Sequence, residues 1–377
     1  MTPDLIYLDH AATTPLDQRI LATMTPWMSI PANAGARHHG YGAAAEQAVC
    51  KARMQIAERI GAKLEEIVFT SGATEANNLV IKGLARHLKS TGKTHVIASV
   101  VEHKSVLEPL AALEGFSVSV LSVKPCGMIE ADMIEKALTP QTGLVCLQAV
   151  NNETGTIQPL DEIAAMLTGR GILFHTDAAQ ALGKIGFDVR KIGVDFASLS
   201  AHKVYGPQGI GALYIKHNVL TPLHHGGGQE NNLRSGTLPV ALCAGFGIAC
   251  DIITDDRQRL QALRDDFLKK IAALNPVVYG HSDSAWNAPG ILNIRFPGID
   301  SETLVMALPG LAFGLGSACS SAGNKYSHVI AVIASEAAAK ESMRLSFGRF
   351  TTQEDMGSAA AQIIAAVTDI RKIQEAA

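Results

Sequence analysis

Lys203 stands in Ser200-Ala-His-Lys203-Val-Tyr-Gly-Pro-Gln-Gly, directly after the apolar run Phe196 to Leu199. An ammonium at the end of a buried strand is costly to desolvate unless its amine is put to use, and imine formation with a carbonyl is one such use. Taken alone, a strand-end lysine is more commonly a solvated surface residue. About a strand and a loop upstream lies His175-Thr-Asp177-Ala-Ala-Gln180. An aspartate at the carboxyl end of a buried parallel strand sits where open α/β sheets bind ligands, and a carboxylate there can keep a heteroaromatic nitrogen protonated. The same residue also suits the N-cap of a following helix.

Thr70-Ser-Gly-Ala73-Thr74-Glu-Ala-Asn-Asn78 joins a strand to a helix. Small residues let the backbone close on a phosphate, and the exposed N–H groups of a helix start favour an anion, although ordinary capping uses the same residue types. Glu102-His103-Lys104 follows another strand and Asn151-Asn152-Glu153-Thr-Gly155 the next. A histidine at a strand end can stack on a ring or move protons, and equally can be structural. Asn152 could hydrogen-bond a ring hydroxyl. Together, five strand ends offer a phosphate cradle, a stacking histidine, an asparagine, an acid and an amine. Pyridoxal phosphate (PLP) is a cofactor such a set would hold, and chance rarely assembles it in chain order.

Positioning these residues requires a sheet. Apolar β-rich runs at Ile67 to Thr70, His95 to Ser99, Ser117 to Ser122, Gly143 to Gln148, Ile172 to His175, Phe196 to Ser198 and Ala212 to Ile215 alternate with helical stretches. Helices are predicted over Ala43 to Ile60, Glu75 to Lys89 and Leu160 to Arg170, where apolar residues recur at helical spacing. That order reads as βαβ units around a mostly parallel sheet. A long helix over Ile248 to Leu274 is expected to carry the chain into a second, smaller α+β region, with a Gly/Ser/Ala-rich stretch at 314 to 323 and a final helix from about Thr352. The expected division is a large domain at 15–255 and a small one from 1–14 and 256–377, the latter carrying the loop at about 314–326.

The bulk properties narrow the function. A chain of 377 residues with 47% hydrophobic and 18% charged residues is globular and suits about two domains. A net charge of −3 with no basic stripe argues against direct nucleic-acid binding. Apolar stretches such as Leu144 to Val150 are too short to cross a bilayer. The start lacks a secretory pattern, so a cytoplasmic location is expected. Six cysteines (50, 126, 146, 243, 250, 319) lie far apart without Cys-x-x-Cys spacing, which signals neither a metal site nor a disulfide framework.

With these motifs in order, the sequence resembles the cysteine desulfurases of the NifS/IscS type, within the fold-type I PLP-dependent transferases (aspartate aminotransferase-like). The resemblance runs from Tyr7-Leu-Asp-His-Ala-Ala-Thr-Thr-Pro15, through the segments above, to Gly226-Gly-Gly-Gln-Glu-Asn-Asn-Leu-Arg234-Ser-Gly-Thr237, Gly316-Ser-Ala-Cys319-Ser-Ser-Ala and Arg344-Leu-Ser-Phe-Gly-Arg-Phe-Thr-Thr352. It implies an α/β fold, with a mainly parallel large domain and a small α+β domain. Lys203 then matches the lysine that binds PLP, Asp177 the partner of the ring nitrogen, and His103 the stacking, proton-moving histidine. Ala73, Thr74, Ser200 and His202 match phosphate binders, while Asn152 and Gln180 match residues that hydrogen-bond the ring. Thr237 matches a threonine that reaches the cofactor phosphate of the neighbouring subunit, which implies a homodimer. Arg344, with Asn33, matches the substrate-binding residues, a guanidinium fork suiting a carboxylate.

Cys319 matches the family nucleophile, which takes the sulfur of L-cysteine as a persulfide and passes it to an acceptor protein. For the other five cysteines, burial as inert residues is the expectation. The acceptor implied by the resemblance belongs to iron–sulfur assembly, tRNA thiolation or DNA phosphorothioation. Asn33-Ala-Gly-Ala-Arg37 departs from the common Asn-Pro-Ser-Ser pattern and resembles desulfurases of the last route. Another fold-type I enzyme, such as a selenocysteine lyase or an aminotransferase, would need Lys203 and Asp177 but no thiol at 319.

Overall fold

Residues 5–315 and 326–376 are described in the computed structural model. Its strands, in chain order, are β1 (Ile6–Tyr7), β2 (Ile67–Thr70), β3 (His95–Ser99), β4 (Ser117–Leu121), β5 (Thr142–Gln148), β6 (Leu173–Asp177), β7 (Phe196–Ser200), β8 (Gly211–Ile215), β9 (Val277–Tyr279), β10 (Ile291–Arg295), β11 (Leu311–Ala312) and β12 (Ser342–Ser346). The predicted runs between residues 67 and 215 therefore survive with end shifts of one or two residues. β2 to β8 form one sheet in the order β2-β8-β7-β6-β5-β3-β4. The neighbours from β7 to β4 pair in parallel, whereas β8 runs antiparallel to both β2 and β7. Helices cover both faces, so β2, β3, β5, β7 and β8 are buried throughout. This is the mainly parallel α/β arrangement expected of the fold.

Connection by right-handed βαβ crossovers sends the carboxyl ends of β3, β5, β6 and β7 to one edge. Two successive antiparallel pairings bring β2 parallel to β7 again, so its carboxyl end joins them. Register places Thr70 and Ser200 on either side of Gly211. A Cβ at Gly211 would lie 2.4 Å from the Leu199 carbonyl oxygen and 2.6 Å from Cα of Gly72, so the backbones approach as only glycine permits.

A separate apolar cluster gathers Leu8, Leu260, Phe267, Ile294, Met343, Ile363 and neighbours. It fills the space beneath the small sheet β12-β10-β9 and the helix Gln353–Ala376. β1 pairs with β11, so the N-terminal residues join this part of the molecule before crossing to the large sheet.

Three helical expectations need correction. The helix predicted over Ile248 to Leu274 is two helices, Val240–Asp251 and Arg257–Ile271. Between them lie two β-branched isoleucines, Thr254 and two aspartates. The Thr254 hydroxyl bonds Asp256, and Asp255 accepts from the Arg257 N–H, so local side chains compete with the helical ladder. The helix predicted over Glu75 to Lys89 divides into Ala73–Gly83 and Ala85–Ser90, because the Gly83 carbonyl is taken by the Thr221 N–H. The helix from Leu160 ends at Leu167 rather than Arg170, and the following Gly169 and Gly171 take positive φ. Burial of the five remaining cysteines is also only partly right. Cys146, Cys243 and Cys250 are buried, Cys126 is half-buried and Cys50 is exposed. Helix Gly40–Ile60 buries Ala45, Val49, Ala52 and Ile56, and position 50 falls off that stripe.

Gly211→Ala is predicted to lower thermal stability, at a cost of about 1–3 kcal/mol for a forced backbone shift, and to weaken retention of a phosphate at the Gly72 turn. Parallel melting curves and anion-binding measurements would check both effects.

Candidate active site

The strand ends converge on a cavity of about 430 Å³. Its walls include Ala73, Thr74, His103, Asn152, Asp177, Gln180, Ser200, His202, Lys203 and Arg344. Ten of the residues singled out in the sequence are thus brought together.

At one end, helix Ala73–Gly83 begins at Gly72, which offers no capping side chain. The first N–H groups of a helix need acceptors, and a turn without a side-chain cap leaves them to a ligand. His202 lies close by, with its ring paired to the Thr13 hydroxyl at 3.0 Å. Burial, then the cations of Lys203 and Lys184, bring its pKa down to about 4.

Lys203 is held from above by the N-terminal segment. Its ammonium donates to the carbonyls of Ala11 at 2.5 Å and Ala12 at 2.7 Å. Gln180 Nε2 donates to the same Ala11 carbonyl, while Gln180 Oε1 is buried without a partner among the described residues. The Thr14 N–H and hydroxyl both donate to the His202 carbonyl, and the Tyr205 N–H donates to the Thr14 hydroxyl. Behind Lys203 sits a second lysine, Lys184, whose ammonium bonds the Lys203 carbonyl at 3.3 Å. Burial, reinforced by the charge on Lys203, lowers its pKa to about 7.

Asp177 ends β6 at the far side of the cavity. Its Oδ2 accepts from Asn77 Nδ2 at 2.8 Å and its Oδ1 from the Ala179 N–H at 3.0 Å. His103 N-caps helix Lys104–Ala111, its Nδ1 accepting from the Ser105 N–H at 3.1 Å. Burial lowers its pKa, Asp177 opposes that shift, and Lys203 and His328 add to it. A neutral ring with Nδ1 engaged in the cap carries its proton on Nε2. Beside it Glu102 is wholly buried; Oε1 accepts from the Ser99 hydroxyl at 2.6 Å and Oε2 has no partner among the described residues. Burial pushes its pKa up to about 8, against the hydrogen bond from Ser99 and with the help of Asp177.

Arg344, 2% exposed, reaches the cavity from β12 and donates to Asp9 Oδ1 at 2.7 Å and to the Asn152 carbonyl at 3.1 Å. Asn33 and Thr237 lie elsewhere. Both are exposed and line a second cavity of about 470 Å³ with Arg37, Arg53 and Glu230. The grouping of Asn33 with Arg344 is therefore not realised within one subunit, because Asn33 lies beyond helix Gln18–Ser29 and folds into a local turn, accepting from the Gly35 N–H. Cys319 lies outside the described residues.

Residues 6–358 match the family model of the class-V aminotransferases. The cysteine desulfurase IscS of Rickettsia typhi is 44% identical over 379 residues, covering 98% of this chain and 92% of that protein. Among solved structures, a NifS-like protein superposes with a TM-score of 0.88 at 31% identity, covering 99% of this chain and 100% of the other. SspA in complex with cysteine superposes at 0.80 with 39% identity, over 92% and 99% of the two chains. The chain belongs to the class-V aminotransferase family, among its IscS/NifS cysteine desulfurases. PLP is the cofactor of these enzymes.

For a class-V aminotransferase the cavity has the donor set that PLP needs. The uncapped turn at Gly72 would suit a phosphate, Asp177 a protonated ring nitrogen, and the Gln180 amide oxygen, unpartnered among the described residues, a ring substituent. The sequence alone did not single out Asn77, Asp9 or the carbonyls of Ala11 and Ala12. Asn77 carried a signal: a short amide inside a helix is unfavourable unless its side chain is used, and here it is fully buried against Asp177 and Ser105.

Glu102 generates a pH prediction. Its folded-state pKa stands above the ordinary 4.5, so folding takes up a proton and stability falls as pH rises from about 4.5 to about 8. Glu102→Gln is predicted to melt higher than the parent protein at pH 8 and to match it at pH 5. Equal differences at both pH values would contradict a neutral Glu102.

Proposed function

We propose that the chain uses PLP to remove sulfur from L-cysteine, receives that sulfur on Cys319 and releases L-alanine. The observation that carries this reading is the convergence of Lys203, Asp177, His103 and Arg344 on one cavity in a chain 44% identical to a cysteine desulfurase.

PLP, when bound, supplies an electron sink that weakens bonds at the substrate α-carbon. The Lys203 amine would hold the cofactor and move a proton at the substrate α-carbon; in the free protein the carbonyls of Ala11 and Ala12 hold its ammonium in place. Asp177, fixed by Asn77 and the Ala179 N–H, keeps the ring nitrogen protonated. Ala73, Thr74, Ser200 and His202 hold the phosphate, and Asn152 and Gln180 orient the ring. His103 would lie against the ring and supply the proton of Nε2; taking a proton at Nδ1 would cost the helix its cap. Arg344 binds the substrate carboxylate.

The Cys319 thiol loses its proton, and its Sγ forms a bond to the substrate sulfur as the substrate C–S bond breaks. The carbon side gains a proton and leaves as L-alanine. Atoms balance as L-cysteine plus thiol giving L-alanine plus persulfide.

The same reading places Thr237 at the cofactor phosphate of a second copy, with Asn33 beside it on that side. Exposed Leu21, Met28, Ile30 and Tyr41, on or next to helices Gln18–Ser29 and Gly40–Ile60, supply apolar surface for such a homodimer. It also divides the chain at 15–255 and at 1–14 plus 256–377, a division supported by the separate apolar cluster from Leu8 to Val367. The persulfide passes to an acceptor protein, and the Asn33 to Arg37 segment favours DNA phosphorothioation over iron–sulfur assembly or tRNA thiolation. No helix among the described residues is long and apolar enough to cross a membrane.

Incubation of the PLP-loaded protein with L-cysteine is expected to yield alanine and a Cys319 peptide heavier by one sulfur atom. Cys319→Ser should abolish both while leaving cofactor absorbance intact. Alanine release at the parent rate by Cys319→Ser would instead indicate a fold-type I enzyme that needs no thiol at 319.

A further inference from the structure

Arg344 is buried in β12, yet the protein satisfies only part of its guanidinium. Nη2 donates to Asp9 Oδ1 at 2.7 Å and Nη1 to the Asn152 carbonyl at 3.1 Å, while Nε is buried with no partner among the described residues. A guanidinium is a rigid planar fork, so fixing two nitrogens fixes the direction of the third.

Asp9 is itself firmly set. It bridges to Ser346; the flanking Ser346 N–H bonds the Leu8 carbonyl at 2.7 Å, and the Ala11 N–H bonds the Ser346 hydroxyl at 2.8 Å. The Tyr7 hydroxyl donates to the Asp9 carbonyl at 3.1 Å. Across the guanidinium, Gly314 exchanges backbone hydrogen bonds with Arg344, and a Cβ there would stand 2.9 Å from Nη2 and 3.2 Å from Nε. The arginine is held at Nη2 and Nη1 and enclosed at Nε, and it lines the cavity that holds Lys203 and Asp177.

We propose that Asp9 is a positioning residue for substrate recognition: by holding Nη2 it fixes the plane of the Arg344 guanidinium at the cavity wall and so restricts the enzyme to amines that carry an α-carboxylate. This rests on the reading of Arg344 as the carboxylate binder. Asp9 also neutralises a buried cation that would otherwise be unpaired whenever no substrate is bound, and removing one partner of a buried pair leaves the other uncompensated. Asp9 takes a single N–H of Nη2, so the guanidinium keeps further donors for a second carboxylate. A rival role is that Asp9 competes with the substrate for Arg344, and the two roles predict opposite signs.

The test is equilibrium binding to the PLP-loaded protein, read by the absorbance change of the bound cofactor. L-alanine serves as the ligand with a carboxylate and cysteamine as the ligand without one. Asp9→Ala should weaken L-alanine by about tenfold, the worth of one charge-assisted hydrogen bond, and leave cysteamine unchanged. Asp9→Asn keeps an oxygen acceptor and should weaken L-alanine by a smaller factor, about threefold for the lost charge alone. In an Arg344→Gln background, Asp9→Ala should add no further loss, because the effect travels through the arginine. For turnover of L-cysteine, the increase should fall on KM more than the decrease on kcat.

Unchanged or tighter L-alanine binding in both Asp9 variants would overturn the proposal, and equal weakening of L-alanine and cysteamine would do the same. Where Asp9→Ala fails to fold, the near-isosteric Asp9→Asn decides by the same comparison. Arg344→Gln that binds L-alanine as well as the parent does would overturn the carboxylate role of Arg344 itself.

Discussion

The grip of the Ala11 and Ala12 carbonyls on the Lys203 ammonium is the constraint around which the site is organised. It joins residues 191 and 192 positions apart, so the first turn after β1 and the end of β7 must be built together. The Thr14 hydroxyl ties the same two segments a second time, by accepting from the Tyr205 N–H and donating to the His202 carbonyl. A flexible lysine thereby loses its freedom before any ligand arrives, which is the preorganisation that a reacting amine needs. The N-terminal strand is anchored in the smaller apolar cluster through Leu8 and the β1-β11 pairing, so the segment over Lys203 links the two cores.

Charge is arranged around this contact in layers. Lys203, Lys184 and His202 lie on the phosphate side, and burial together with mutual repulsion holds the latter two below their ordinary pKa values. Asp177 also lines the cavity. A ligand with a phosphate at one end and a protonated ring nitrogen at the other complements both.

Most of the large sheet was legible in the sequence because strands buried on both faces must be short, apolar and flanked by turn residues. β2, β3 and β5 show that pattern plainly. Lys203, Asp177, His103, Asn152 and the turn around Ala73 and Thr74 were legible because each stands at a strand end or just after it, whereas the roles of Ser200, His202, Gln180 and Arg344 came from the family resemblance. What escaped was long-range or backbone in character. Nothing local announces that the carbonyls of Ala11 and Ala12 hold Lys203, that Asn77 reaches Asp177 across 100 residues, or that Asp9 pairs with Arg344 across 335. The break after Asp251 was missed because apolar spacing continues through Ile252 and Ile253, while Asp255 and Asp256 compete with the helix through side-chain hydrogen bonds to the Arg257 N–H and the Thr254 hydroxyl. The exposed face of Cys50 follows from which stripe of its helix meets the helix Val240–Asp251, a tertiary fact.

Covalent attachment of the cofactor to a single amine tests the account most directly. Borohydride reduction of the PLP-loaded protein, followed by digestion and peptide mass analysis, is expected to find the reduced cofactor on the peptide containing Lys203 and on no other. Label on the Lys184 peptide, or no label on a protein that binds PLP, would contradict the assignment.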